Sequence, residues 1–352
     1  MVKKKKTLPK NFKELIEKGN FEALKAVFDD CELDARGGFD KETALHFYNV
    51  PDDLVRWLVE QGLDINTPTN TYRRTPLSEH ARVGSGTVDL LLELGADIEA
   101  SEYDGDTPLH IAAGFSRADT VRTLIAHGAN IHAKNRSGLT PLGKSLAQCR
   151  NADISWAAEV AAILLDAGAE VTPRMKEDIL RIGKEFEFHR ESFNKDLLAE
   201  TDAGLTRLYE LFGVERVAMR RTHDGVSPIV VDSANWQRAY SELWDYLVPS
   251  QGAAKTVQGE VIRITGRVSH EISDNGGANW DADFRKMLDA LVKHLGSGAP
   301  LERDELTEAT RLAADLRSGS HDDGLPRLAE LSVRWVSNNP TPIPLGKVDY
   351  KR

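Results

Sequence analysis

The feature that most constrains this chain is a tetrapeptide that returns at a nearly constant distance. It appears as Thr43-Ala44-Leu45-His46, Thr75-Pro76-Leu77-Ser78, Thr107-Pro108-Leu109-His110 and Thr140-Pro141-Leu142-Gly143, in steps of 32, 32 and 33 residues. A second mark, Gly62-Leu63-Asp64-Ile65, Gly95-Ala96-Asp97-Ile98, Gly128-Ala129-Asn130-Ile131 and Gly168-Ala169-Glu170-Val171, follows with steps of 33, 33 and 40. Two independent marks with one period mean a stack of short units, none able to cover its own apolar face. Within a unit the local chemistry is helical. Thr is a helix cap and Pro occupies the first turn, where its missing N–H costs nothing. Val121, Leu124 and Ile125 make an apolar stripe, and Gly128 ends that helix where a left-handed residue is needed.

These residues resemble the ankyrin repeat family, and DGDTPLHIAAGFSRADTVRTLIAHGANIHAKN (104–135) matches its pattern almost throughout. The resemblance covers residues 11–172, about five units with a degenerate first one in NFKELIEKGNFEALKAVFDD (11–30). It implies a solenoid in which His110 bridges neighbouring repeats, and a protein-binding surface made of finger-like turns and the exposed part of each first helix. Carried onto this sequence, that surface holds Tyr72, Arg74, Arg82, Tyr103, Asp104, Asp106, Phe115, Lys134 and Arg136. Tyr, Arg and Phe are the usual anchors of interfaces. Arg73 stands where the family has Gly, which predicts a distorted finger before Thr75. The longer last step places an insertion within residues 147–160, either a plain surface loop or a partner-specific finger presenting Trp156.

At 352 residues the chain is long enough for two domains. A net charge of −10 argues against nucleic acid and anionic lipid and favours a protein partner with a basic surface. Residues 1–10 read as a solvated basic arm. No stretch of eighteen apolar residues offers a membrane span, and Cys31 and Cys149 have neither disulfide nor zinc spacing. A cytoplasmic protein is expected.

The second half reads as a connecting helix over 173–200, with Ile179, Ile182, Phe186 and Phe193 near helical spacing, then an irregular linker over 201–234. A helical domain over 235–340 and a tail over 341–352 follow. Trp236, Tyr240, Leu243, Trp244 and Leu247 form one core stripe, and Val257, Val261, Ile264, Val268 and Ile272 another. Beside the second lies a polar stripe, from which Arg263, Arg267 and Glu271 make a possible second surface, with a solvated ion-paired face as the default. Gly259 and Gly266 should let another helix come close. The acid-rich stretch HEISDNGGANWDADFRKML (270–288) fails as a calcium loop, because Phe284 and Ala290 stand where Gly and an acid are required. It reads instead as a helix end, a Gly turn and a new helix capped by Asn279. Over 235–290 this half is loosely similar to helical regions that accompany ankyrin repeats in bacterial proteins.

Together these readings predict an all-α protein, an ankyrin-repeat solenoid followed by an α-helical C-terminal domain. The function expected is non-catalytic protein binding, as a bacterial adaptor or an immunity-type protein that blocks a toxin, with no cofactor, no metal and no membrane. The alternative is an enzyme or nucleotide-binding effector with its site in the C-terminal helical domain, around Arg263, Arg267, Glu271 and His223. Oligomeric state is left open.

Overall fold

The computed structural model describes residues 3–317 and 322–351, and in them sixteen α-helices and two short strands. Met1 and Val2 of the expected arm, residues 318–321 of the expected helical domain and Arg352 of the expected tail lie outside the described residues. The chain forms two compact units. The first holds the residues up to Phe186 together with Asn194–Val217, and the second holds Glu187–Phe193 together with the residues from Ala218 onward.

In the first unit, strand β1 (Lys5–Thr7) precedes helices α1 (Phe12–Lys18) and α2 (Phe21–Asp30), and β2 (Cys31–Arg36) returns beside β1 as its parallel partner. Residues 5–8 are therefore not part of a free solvated arm. β2 offers an unpaired edge, and Leu8, 7% exposed, anchors the segment that covers it. Helix pairs then follow at the repeat period: α3 (Asp52–Glu60) after the short turn at Ala44–His46, α4 (Pro76–Val83) with α5 (Thr87–Glu93), α6 (Pro108–Gly114) with α7 (Ala118–Ala126), and α8 (Pro141–Gln148) with α9 (Ile154–Asp166). Thr75 Oγ1 accepts from Ser78 N at 3.2 Å and Thr140 Oγ1 from Gly143 N at 3.2 Å, so each Thr caps the helix its Pro begins.

Buried histidines join neighbouring repeats. His46 Nδ1 accepts from Thr43 N at 3.1 Å while Nε2 donates to Arg74 O at 3.0 Å. His110 does the same between Thr107 N and Leu139 O, at 3.2 and 2.9 Å, and His80 Nε2 donates to Leu45 O at 3.0 Å. Leu45, Leu77, Leu91, Leu124, Leu142 and Leu164 are fully buried between layers, each contributing about 1.5–3 kcal/mol of burial.

The array continues past its expected end. Helix α10 (Pro173–His189) is capped by Thr172, whose Oγ1 accepts from Met175 N at 3.3 Å, and Thr172 stands 32 residues after Thr140. Helix α11 (Lys195–Phe212) packs against α9, so residues 173–200 are not one connecting helix and 201–234 is not wholly irregular. The contact is close: a Cβ on Gly204 would lie 2.7 Å from Ser155 Cα. Thr201, Leu205, Leu208 and Phe212 form the buried stripe, interrupted in sequence by polar residues that hid its period.

Arg73 does not distort its finger. It takes the left-handed conformation outright, with φ 55°, as do Lys41 (60°), Gly105 (78°) and Gly138 (71°) at the same place in the other units. Non-glycine residues are strained there. Arg73→Gly is therefore expected to stabilise the first unit by about 0.5–1 kcal/mol, the strain relieved less the extra freedom of the unfolded glycine. Urea unfolding checks this, and an unchanged or lower stability would contradict it.

In the second unit, α13 (Val257–Ser269) is central and packs against α12 (Trp236–Leu247), α14 (Ala282–Leu295) and α16 (Leu325–Asn338), while α15 (Arg303–Arg317) lies on α14 and α16. Gly266 admits the Trp244 ring, where a Cβ would be 2.1 Å from Cζ3, and Gly259 lies against the end of α12. The last residues are not a loose tail. Gln258 Nε2 donates to Asn339 O and Thr341 O at 2.9 and 2.8 Å, and its Oε1 accepts from Ile343 N at 3.0 Å. Tyr350 OH donates to Glu260 Oε1 at 2.8 Å. Asp281, rather than Asn279, caps α14, its Oδ1 accepting from Asp283 N and Phe284 N.

Candidate partner-binding face

The finger turns of the first unit are tied edge to edge by backbone hydrogen bonds. Asn70 N donates to Asp40 O at 3.1 Å, Tyr103 N to Tyr72 O at 3.0 Å and Arg136 N to Asp104 O at 3.0 Å. The Asp40 carboxylate accepts from Thr71 N and Tyr72 N at 2.7 and 3.2 Å. Burial opposes its ionisation, but hydrogen bonds from Thr69, Thr71 and Tyr72 outweigh that and hold its carboxyl down at about 2. The fingers are thus a stiff support for whatever their side chains present.

Six of the sequence-selected residues come together as three Arg–aromatic stacks. The Arg74 guanidinium lies 4.5 Å from the Tyr72 ring centre, Arg82 lies 4.9 Å from Phe115, and Arg136 lies 4.8 Å from Tyr103. Two of these stacks cross between repeats. The rings stay accessible, at 44%, 43% and 57% for Tyr72, Phe115 and Tyr103. An ion-pair chain continues beneath them: Arg74 to Glu79 at 3.6 Å, Glu79 to Arg82 at 3.5 Å and Arg82 to Glu102 at 3.1 Å, with Ser78 Oγ donating to Glu102 at 3.0 Å. Burial pushes the Glu102 carboxyl up although Arg82 opposes the shift. Guanidinium over a ring immobilises both groups before binding, which lowers the ordering cost of an interface.

The other selected residues divide. Asp104 and Lys134 are exposed. Asp106 is not, at 3% exposure; it pairs with Lys144 and accepts from Asn135 Nδ2 at 2.8 Å, because the next finger and α8 close over it. Trp156 is 54% exposed on α9, beside the insertion. That insertion is a short turn, Asn151–Asp153, leading into a lengthened helix rather than a loop. Sequence reasoning missed Phe39, 90% exposed in the first finger, and Tyr48, 55% exposed just after the first Thr-x-x-His mark. Phe39 immediately precedes Asp40, which stands one period before Tyr72, so the repeat register was the available signal.

The second candidate surface does not survive as a surface. Arg263 is 1% exposed and Glu271 5%, and of the three only Arg267 reaches solvent. The residues after α16 cover Arg263. The Glu271 carboxylate is spent on the following turn, where it accepts from Asn279 N and from Asn275 Nδ2, the latter at 3.0 Å. His223 is likewise held, its Nε2 donating to Ser227 O at 2.7 Å.

Comparison with known proteins fits this geometry. Residues 81–175 match the family described as Ankyrin repeats (3 copies). An ankyrin repeat protein of Fowlpox virus (strain NVSL) is 41% identical over 29% of this chain and 31% of its own length. Zygote-specific protein 3 of Chlamydomonas reinhardtii is 39% identical over 32% of this chain and 31% of its own length. Ankyrin repeat domain-containing protein 37 of Mus musculus is 32% identical over 26% of this chain and 58% of its own length. The chain thus spans under a third of the length of the first two relatives. No helix of the described residues is long and apolar enough to cross a membrane. With its Thr-Pro helix starts, bridging histidines and laddered fingers, the first unit carries ankyrin repeats, which the family model matches over residues 81–175.

Proposed function

We propose that the chain is a protein-binding component whose first unit holds a partner on the finger and inner-helix face. The observation that carries this reading is the set of three exposed aromatic rings, each roofed by an arginine, two of those arginines being joined through the Arg74–Glu79–Arg82–Glu102 chain. Such rigid amphipathic plates are what interface hot spots are made of. As a finer reading, the chain acts stoichiometrically, as an adaptor or an immunity-type protein that blocks a toxin, and its net charge of −10 suits a partner with a basic surface. Two buried, unpaired cysteines, Cys31 and Cys149, support a reducing compartment such as the cytoplasm.

The test is a pull-down from the source cell with the intact chain and with Tyr72, Tyr103 and Phe115 changed together to alanine. The exposed rings should be dispensable for folding. At about 2 kcal/mol or more per anchor, the triple change should weaken a partner by roughly 100-fold or more. Retention of every partner at the same affinity would show that this face is not the one used.

A further inference from the structure

The insertion builds something the other repeats lack. A cleft of about 880 Å³ opens in the first unit between the ends of α6 and α8, the start of α9 and the flank of α10. That lies within the ~300–1,000 Å³ range of sites that hold a drug-sized ligand. Its apolar walls are Phe115 and Trp156, both about half exposed. Arg181 also lines it but is committed to Asp178 and Glu185 and donates to Leu146 O at 2.9 Å. Cys149, at the rim of the insertion, is buried and its thiol is pushed up to about 12 by burial, so it offers no nucleophile.

Two cations remain. Arg150 makes no ion pair among the described residues, and Arg117 donates only from Nε, to Arg82 O at 3.0 Å. Against them stands one lining acid without an ion pair among the described residues, Asp153. The cleft is therefore a local cationic spot with two aromatic walls, set in a chain whose net charge is −10.

We infer that this cleft receives a short segment of the protein partner carrying a carboxylate next to a large apolar side chain, the carboxylate toward Arg117 and Arg150 and the apolar group between Phe115 and Trp156. The inference rests on the protein-binding reading above and names what this part of the face selects. Charge complementarity chooses the acid: a guanidinium binds a carboxylate bidentately, and a lysine placed there would face two uncompensated arginines. A partner drawn in by its own basic surface must still offer one acid at this spot, which makes the cleft a specificity element rather than a source of attraction.

The probe is acetyl-Gly-Trp-Glu-Gly-amide, titrated into the isotope-labelled full chain while the Trp156 indole N–H and the Arg117 and Arg150 side-chain resonances are followed. Saturable shifts with a dissociation constant on the order of 1 mM are expected. The Trp-Lys and Ala-Glu counterparts should bind at least about tenfold more weakly. Arg150→Gln, a change at an exposed side chain, should bring the Trp-Glu peptide down to the level of the Trp-Lys one. Equal binding of the Trp-Lys peptide, no saturable shift up to about 10 mM, or indifference to Arg150→Gln would overturn the inference. Because Phe115 belongs to both places, the finger face is scored with Tyr72 and Tyr103 changed to alanine and Phe115 kept: absent peptide binding with partner loss on that double change removes the cleft and keeps the finger face, while the converse removes the finger face.

Discussion

Replacing Arg263 by alanine is expected to lower the stability of the second unit by about 3–5 kcal/mol, the usual result of stripping one partner from a buried ion pair. Arg263 and Glu260 are 1% and 0% exposed. Arg263 Nε and Nη2 donate to the two carboxylate oxygens at 2.9 and 2.7 Å. Ala254 N and Tyr350 OH fill the remaining acceptor positions at 2.9 and 2.8 Å. Burial works against the charge on Glu260, yet Arg263 and these donors hold its carboxyl below the usual range. Without Arg263 the carboxylate stays buried with only neutral donors. Glu260→Gln with Arg263→Met removes both charges and should recover a large part of the loss, since the penalty comes from the orphaned charge rather than from the missing attraction. Urea unfolding of the single and double variants decides the matter. A loss under about 1 kcal/mol in the single variant is what a solvated pair gives, and it would mean that this stripe faces water after all.

The same residues show where sequence reading stops. Glu260 with Arg263, and Arg267 with Glu271, stand at helical ion-pair spacing, a pattern that describes a wet face as well as a buried network. What separates the two is the segment from Asn339 to Tyr350, some eighty residues away in sequence, and no local period reports it. The solenoid was legible for the opposite reason. Each unit meets its neighbours at a fixed offset, so Thr75, Pro76, Leu77 and Gly95 state their roles locally and repeatedly. A mark without its companions is ambiguous: Thr172-Pro173 keeps the period, but no finger precedes it, so in sequence the pair α10–α11 resembles a connector. On the finger face, exposure of the rings followed from position in the unit, while the burial of Asp106 depended on Lys144 and Asn135 one repeat further on. Residue type and register picked out the exposed aromatic rings; only packing could say which charges were already spent.

The first unit should also lose stability in mild acid, through the histidines that rivet its repeats. His46 is buried as the neutral ring, and burial, its largest influence, pushes its pKa down to about 4. His80 and His110 are lowered as well, again chiefly by burial. A histidine whose folded pKa is depressed stabilises the fold fully above its unfolded value of about 6.5, and that contribution disappears as the pH falls toward the folded value, because the unfolded chain takes the proton first. For His46 alone the shift corresponds to roughly 3 kcal/mol by pH 4. The chemistry is specific: Nδ1 must accept from Thr43 N while Nε2 donates to Arg74 O, and a protonated ring has no acceptor left for the first bond. Glu102 works in the other direction, since burial raises its carboxyl and the folded state is protonated first, and Asp40, held at about 2, adds its own loss only below the histidine window. Hydrogen exchange of the full chain across pH 7.5 to 4, corrected for intrinsic rates, should show protection of α3, α4 and α6 falling between about pH 6.5 and 4. His46→Gln, which cannot titrate, should flatten part of that fall at the expense of stability at neutral pH. Protection that stays level through this window would mean that the rings are not held neutral between the repeats.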